Sequence, residues 1–418
     1  MASTVLSVDA ADTSSTIAAS EDVTESSATL SSLDKILASI GIKKVKSTEL
    51  LSGEVFWRDQ CQFLKEHGYT LRARYQPDWK PSWLGTSKQS SQCEDGETLS
   101  NRKVMDASRN DGSLVMFKCL HREDDHLEIL LGKDLSGVDR QRFPENHCVP
   151  FLEVLEPPDC EYVIVVMPYL VRWDIVPFET IGEVIEFFRQ IFEGLLFMHD
   201  LNIAHEDIKF NNILADAVSL FSYPPHPGLL SYHMKRDFSG STEVLHSRTT
   251  CPIRYHLIDF GLSNCFDSKS EASQETPFGG TKNCPEVWQP DAPPCNPFLV
   301  DVFCMGNVVH GFLFDEQKSS IRGPKRGFEF MRELVDDMMN TDPLKRPSMK
   351  EVVERYEVIY NGLSEWKLRS PVVTVGERFK LRKAAVHWTK QLVRMAQAVH
   401  WKKQLVRMAR GIPAIPRA

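Results

Sequence analysis

The chain has 418 residues, 42% hydrophobic and 25% charged, with 49 Lys and Arg against 57 Asp and Glu for a net charge of −8. That composition excludes a wholly disordered or fibrous protein and suffices for one large or two modest cores. No stretch reaches the roughly 18–20 consecutive apolar residues of a membrane-spanning helix. The opening MASTVLSVDAADTSS lacks the basic start and apolar stretch of a secretory signal, so a soluble intracellular protein is expected, cytoplasmic in preference to nuclear. The ten cysteines include no CxxC pair and read as reduced thiols rather than disulfides or a zinc site.

Residues 1–52 are rich in Ser, Thr and acidic groups and too poor in apolar surface to offset chain entropy, which predicts a disordered arm. Residues 53–99 read as one helix, with Val55, Phe56, Phe63 and Leu64 at helical spacing and Gly68 as its C-cap, followed by a linker rich in Pro, Ser and Gln. Two apolar runs, Val104–Ala107 and Leu114–Leu120, flank Asn110-Asp111-Gly112, a turn chemistry that predicts an antiparallel hairpin. EYVIVVM at 161–167 suits a buried strand, and the apolar spacing from Ile181 to His199 suits a mostly buried helix. Strands early and helices late predict an α+β chain in two lobes.

The last 39 residues hold ten Lys or Arg and no acid, leaving residues 1–379 at −18. VHWTKQLVRMA at 386–396 recurs as VHWKKQLVRMA at 399–409. A step of 13 residues turns a helix by about 1300°, so the two copies would not share one face of a straight helix. Residues 366–418 are therefore expected as a basic helical tail. It either contacts an acidic membrane surface or partner or, the preferred reading, docks on the acidic body of the same molecule.

The most specific stretch is His205-Glu206-Asp207-Ile208-Lys209-Phe210-Asn211-Asn212, with the spacing H-x-D-x-K-x-x-N, and Asp259-Phe260-Gly261 follows behind the apolar run HLI. Both motifs, in this order, resemble the catalytic loop and metal-binding turn of protein kinases. The resemblance covers residues 100–365 and implies a bilobal kinase-like fold, with a β-rich N-lobe at 100–168 and a helical C-lobe at 169–365. The phrases NHCVPFLEVLE and FFRQIFEGL are similar to kinase-like proteins of mushroom-forming fungi.

Phosphoryl transfer asks a protein to align a hydroxyl with the γ-phosphate and to neutralise spreading negative charge. Asp207 is the residue type to orient that hydroxyl, and Lys209 can reach the γ-phosphate. Asn212 and Asp259 offer oxygens to Mg2+. The resemblance makes Lys118 the strand lysine on the ATP phosphates, with Glu128 as its helix partner and Glu123 as fallback. It makes Met167, Tyr169 and Leu170 the adenine-binding hinge region and Leu214 the floor. Glu286 and Arg346 become a structural ion pair, and Asp301 the acid that holds the catalytic loop.

Departures from that family are visible. No G-x-G-x-x-G precedes Lys118, Met116 stands where a small residue is usual, and Gly132 replaces a hydrophobic residue four after Glu128. Glu206 takes the place of an arginine that grips a phosphorylated loop, and residues 213–258 form a long insert. The expected activity is transfer of the ATP γ-phosphate to Ser/Thr of a protein substrate, with ATP and Mg2+ as cofactors and no nucleic-acid partner. The alternatives are a kinase-shaped scaffold with weak or no ATP use, and a small-molecule phosphotransferase on the same fold.

Overall fold

The computed structural model describes residues 48–99, 101–229, 233–269, 272, 284–287, 294–315, 324–375 and 381–400. The expected arm at 1–52 and the second tail copy fall almost wholly outside these residues, as does most of the segment between 262 and 284.

The helix expected over Glu54–His67 is two: α1 (Ser52–Asp59) and α2 (Cys61–Glu66), with Gly68 at φ +85° turning the chain out. Strands β1 (Tyr69–Leu71), β2 (Val104–Arg109) and β3 (Leu114–His121) follow. Helices α3 (His126–Leu135) and α4 (Val138–Gln141) then lead to β4 (Glu153–Leu155) and β5 (Tyr162–Pro168). The five strands form one antiparallel sheet in the order β1-β2-β3-β5-β4. The β2–β3 hairpin turns where the sequence expects it, with Asp111 accepting from the Ser113 amide and hydroxyl and Gly112 at φ +83°.

Alternation along the strands assigns the two faces of the sheet. Ala107, Val115, Phe117, Ile164 and Val166 pack on Trp57, Cys61 and Leu64 of α1 and α2. Leu120, Val163 and Val165 pack with Ile129 of α3 and with Phe151. The segment expected as a preceding linker therefore supplies the cover of one sheet face and, through β1, an edge strand. Tyr69–Leu71 pairs with Ala107–Arg109, so the sheet begins upstream of residue 100.

After the short β6 (Val171–Arg172), α5 (Ile181–Asp200) runs through the second lobe, capped by Thr180, which accepts from the Glu183 amide. Strands β7 (Ile203–Ala204), β8 (Ile213–Ala215), β9 (Tyr255–Leu257) and β10 (Asn264–Cys265) frame the loop that carries the H-x-D motif. Helix α6 (Pro297–Leu313) begins with Asn296 as cap and Pro297 in the first turn. Helices α7 (Arg332–Met338), α8 (Met349–Gly362) and α9 (Glu365–Arg369) complete the lobe. One large core joins α5 and α6 through Phe187, Phe188, Phe192 and Phe312.

The final helix, α10 (Leu381–His400), carries the first tail copy. Lys390 and Arg394 pair with Glu179, Arg394 also donates to the Ser247 hydroxyl, and Trp388 packs against Trp366. No helix among the described residues is long and apolar enough to cross a membrane. All ten cysteines are free thiols.

Candidate functional site

Strand β3 directs Lys118 into the cleft between the lobes, where its amine donates to Glu128 Oε1 at 2.5 Å and to Asp259 Oδ1 at 2.7 Å. Glu128, not Glu123, is the partner. Two carboxylates, one 10 and the other 141 positions away in sequence, thus share one ammonium. Burial alone would lower the pKa of Lys118, but the two carboxylates outweigh it and raise it above the usual lysine value. For Asp259 burial opposes ionisation, and the Lys118 charge overcomes it, holding the carboxyl below the usual carboxylate range. Glu128 moves the other way, raised by burial with Asp259 adding to the effect.

Gly132 explains itself in this geometry. A Cβ there would lie 2.1 Å from Cε2 and 2.2 Å from Cζ of Phe151. The ring, supplied by the chain just before β4, takes the space of the missing side chain and fills the gap beneath α3.

The loop after β7 is held by one fully buried carboxylate. Asp301 accepts from the backbone amides of His205 at 2.7 Å and Glu206 at 2.8 Å, and contacts His199 Nε2 at 3.0 Å. Glu206 at φ +60° and Asp259 at φ +70° occupy the left-handed region, a strained conformation that persists only where the surroundings enforce it. Within the loop, Lys209 Nζ donates to Asp207 Oδ2 at 2.6 Å, and Asn212 Nδ2 donates to the same oxygen at 2.8 Å and to the Asp207 carbonyl at 2.9 Å. Asp207 is thereby fixed in direction. The Asn212 amide uses its NH2 inward, so its oxygen is the atom it can offer a cation. His205 is fully buried, and burial keeps its pKa below the ordinary value, favouring a neutral ring.

Asn212 and Asp259 offer oxygens that could hold Mg2+. Among the described residues no group of three or more His, Cys, Asp or Glu could hold a metal by itself. A two-residue donor set suits Mg2+, which keeps water and phosphate oxygens in most of its coordination positions.

Met167, next to the last residue of β5, lies directly opposite Met116 of β3. Both are half-buried, as is Leu214 on β8. They supply the apolar surfaces of the cleft. Leu170 is buried, and Tyr169 is buried with its hydroxyl donating to the Pro225 carbonyl at 2.6 Å. Farther away, Glu286 and Arg346 form a bidentate pair at 2.5 and 2.9 Å, with the guanidinium also donating to the Asn340 and Leu299 carbonyls. Glu206 accepts from Asn264 Nδ2 at 2.9 Å. All thirteen residues expected from the sequence lie among the described ones; Lys118, Glu128 and Asp259 are in direct contact, as are Asp207, Lys209 and Asn212, and Glu286 with Arg346.

Where a glycine loop would cover phosphates, β1 ends at Leu71 and the chain leaves through a single 3-10 turn, Ala73–Tyr75. The 72–103 link is tied down by polar contacts instead. Arg74 makes a bidentate pair with Glu54, and the Asp95 carboxylate accepts from Trp79 Nε1 and from the Ser82 amide and hydroxyl. Sequence reading also missed Asp106. Its only signal was an acid between Met105 and Ala107, where strand alternation turns it to the cleft face.

Residues 149–356 match the model of the protein kinase domain family. The chain carries a protein kinase domain and has its α+β fold. It is similar to a light-sensor protein kinase of Ceratodon purpureus, 25% identical over 217 residues, covering 44% of this chain and 15% of the relative. It is also similar to a probable serine/threonine-protein kinase of Dictyostelium discoideum, 25% identical over 187 residues, covering 39% of this chain and 22% of that protein. The chain thus spans less than a quarter of the length of either relative. The family match starts after Lys118 and Glu128, which enter the site through geometry alone.

Proposed function

We propose that the chain is a Ser/Thr protein kinase that transfers the γ-phosphate of Mg-ATP to a protein hydroxyl. The observation that carries this reading is the Lys118 amine shared by Glu128 and Asp259, beside a loop in which Lys209 and Asn212 fix Asp207. In this reading Lys118 holds the α- and β-phosphates, and the backbone following Met167 receives adenine above Leu214. Asp207 accepts the hydrogen bond of the incoming hydroxyl and aims its oxygen at phosphorus. Lys209 offsets charge gathering on the γ-phosphate oxygens as the bond to the leaving oxygen lengthens. Asn212 and Asp259 would hold Mg2+, which when bound screens the phosphates from the carboxylates. Glu206, tied to Asn264, repels rather than grips a phosphorylated loop, so this kinase would not be switched on by activation-loop phosphorylation.

The test is radiolabel transfer from [γ-32P]ATP to a generic protein substrate, with phosphoamino-acid analysis. Label on Ser or Thr that disappears in Asp259→Asn supports the reading. Label on small alcohols or aminoglycosides alone would replace it with a small-molecule transferase. A scaffold reading is favoured by the absence of a glycine loop between β1 and β2, and it requires no transfer above the Asp259→Asn control. In either case we place the protein inside the cell, in the cytoplasm. An acidic partner or membrane surface would be met through the basic tail, whose sequence carries ten Lys or Arg and no acid over its last 39 residues.

A further inference from the structure

Residues 216–254 leave β8 and return to β9 at adjacent positions, since Ala215 pairs with Tyr255. The excursion is therefore rooted at the floor of the cleft. Its base is fixed to the helical lobe: Arg248 donates to the Trp173 carbonyl and the Tyr255 hydroxyl, and the Pro225 carbonyl accepts from Tyr169 at the hinge. From that base it reaches the other lobe. Arg236 Nε donates to Asp106 Oδ2 at 2.9 Å, and its Nη1 donates to the Ser108 hydroxyl at 2.9 Å. The second oxygen of Asp106 accepts from Arg72 Nε at 2.9 Å, and Arg72 Nη1 lies 3.3 Å from His226 Nε2 of the same excursion. One fully buried carboxylate on β2 is thus shared between an arginine of its own lobe and an arginine of the opposite lobe.

The position of that carboxylate matters for the cleft. Asp106 sits opposite Met116, and Val104 opposite Lys118, so Asp106 is one step along the cleft face from the lysine. No glycine loop fastens this edge of the sheet over a bound nucleotide. The clasp does so instead, as a second tie between the lobes besides the covalent hinge. Its two halves are unequal. Arg236 is 20% exposed while Asp106 and Arg72 are closed off at 0% and 2%, and a cavity of about 570 Å3, walled by Ser108, Leu114, Tyr223 and Arg236, opens beside it. Arg236 is the half that can release, leaving Asp106 paired to Arg72 rather than stranded.

We propose that Arg236 is a positioning residue for nucleotide retention: by clasping Asp106 it ties the insert to the β2 roof, and nucleotide leaves only when that tie opens. The proposal rests on reading the cleft as the nucleotide site.

The experiment uses the full chain, with Arg236→Ala and Arg236→Lys, and two readouts. Hydrogen exchange without nucleotide tests the clasp itself. Amides of the hinge at 169–172 and of β2 are expected to exchange about tenfold faster in Arg236→Ala, with Arg236→Lys between it and the wild type and α8 unchanged. Stopped-flow release of a fluorescent N-methylanthraniloyl ADP with Mg2+ tests the function. Release is expected to be about tenfold faster in Arg236→Ala, with KM for ATP raised and kcat at saturation within about twofold. Exchange unchanged in Arg236→Ala overturns the clasp. Faster exchange with unchanged ADP release overturns the role in retention. If the wild type binds no labelled ADP, the kinase reading fails and nucleotide retention fails with it, while hydrogen exchange still decides the clasp.

Discussion

Replacing Gly132 by alanine tests how α3 is seated. The added Cβ would lie 2.1, 2.2 and 2.7 Å from Cε2, Cζ and Cδ2 of Phe151. Restoring ordinary carbon contact requires ring and helix to separate by about 1.5 Å. Phe151 is nearly buried in the α3–sheet core, so much of that movement falls on the helix. Glu128 sits one turn earlier on the same helix, and a shift of that size breaks its 2.5 Å contact with Lys118. Overpacking of this kind costs about 1–3 kcal/mol, a drop in Tm of about 3–8 °C. A misplacement near 1 Å at the phosphate lysine lowers transfer by about 100-fold. Differential scanning fluorimetry and single-turnover transfer from labelled ATP measure the two effects. Phe151→Leu, which deletes Cε2 and Cζ, is expected to recover both when combined with Gly132→Ala. A Gly132→Ala protein with wild-type Tm and transfer would refute the wedge.

Other outcomes follow from single groups. Arg346→Met leaves the Glu286 carboxylate without its bidentate partner, and a loss of about 3–5 kcal/mol in urea unfolding is expected; a loss below about 1 kcal/mol would mean the pair is not structural. His147 and His256 are buried, and desolvation lowers their pKa values to about 3 and about 4. The unfolded chain takes up protons on both near pH 6.5 while the fold does not, so stability is complete above about 6.5 and falls as pH drops towards 4. The slope for the two is about 2–3 kcal/mol per pH unit. Urea midpoints that stay level between pH 7 and 5.5 would exclude this. Glu179→Lys places like charge against Lys390 and Arg394 of α10, and faster tryptic cleavage of the tail is expected with little change in Tm; unchanged cleavage would show that Trp388 and its neighbours hold the helix without the charges.

How much of this was legible in the sequence depends on the range over which each feature is encoded. The H-x-D-x-K-x-x-N loop and the Asp259 turn were readable because their chemistry requires fixed residue types at short spacing. Lys118 was readable because its strand starts just after a turn with a strong Asp-Gly signal. Strand β1 was not readable: three residues carry no period, and only pairing with Ala107–Arg109 makes them a strand. The 72–103 link looked unstructured because polar contacts such as Arg74 with Glu54, rather than an apolar repeat, fix it. Gly132 looked like a defect since the ring that complements it arrives 19 residues later. The clasp was invisible for the same reason, with Asp106 and Arg236 separated by 130 positions.

Titration calorimetry of ATP, with and without Mg2+, tests the central claim that Lys118, Asn212 and Asp259 meet around one triphosphate. Stoichiometric binding that depends on Mg2+, weakens in Lys118→Ala and loses its metal dependence in Asp259→Asn is the expected result. ATP binding that ignores Mg2+ and both substitutions, or no binding to a folded wild-type chain, would contradict it.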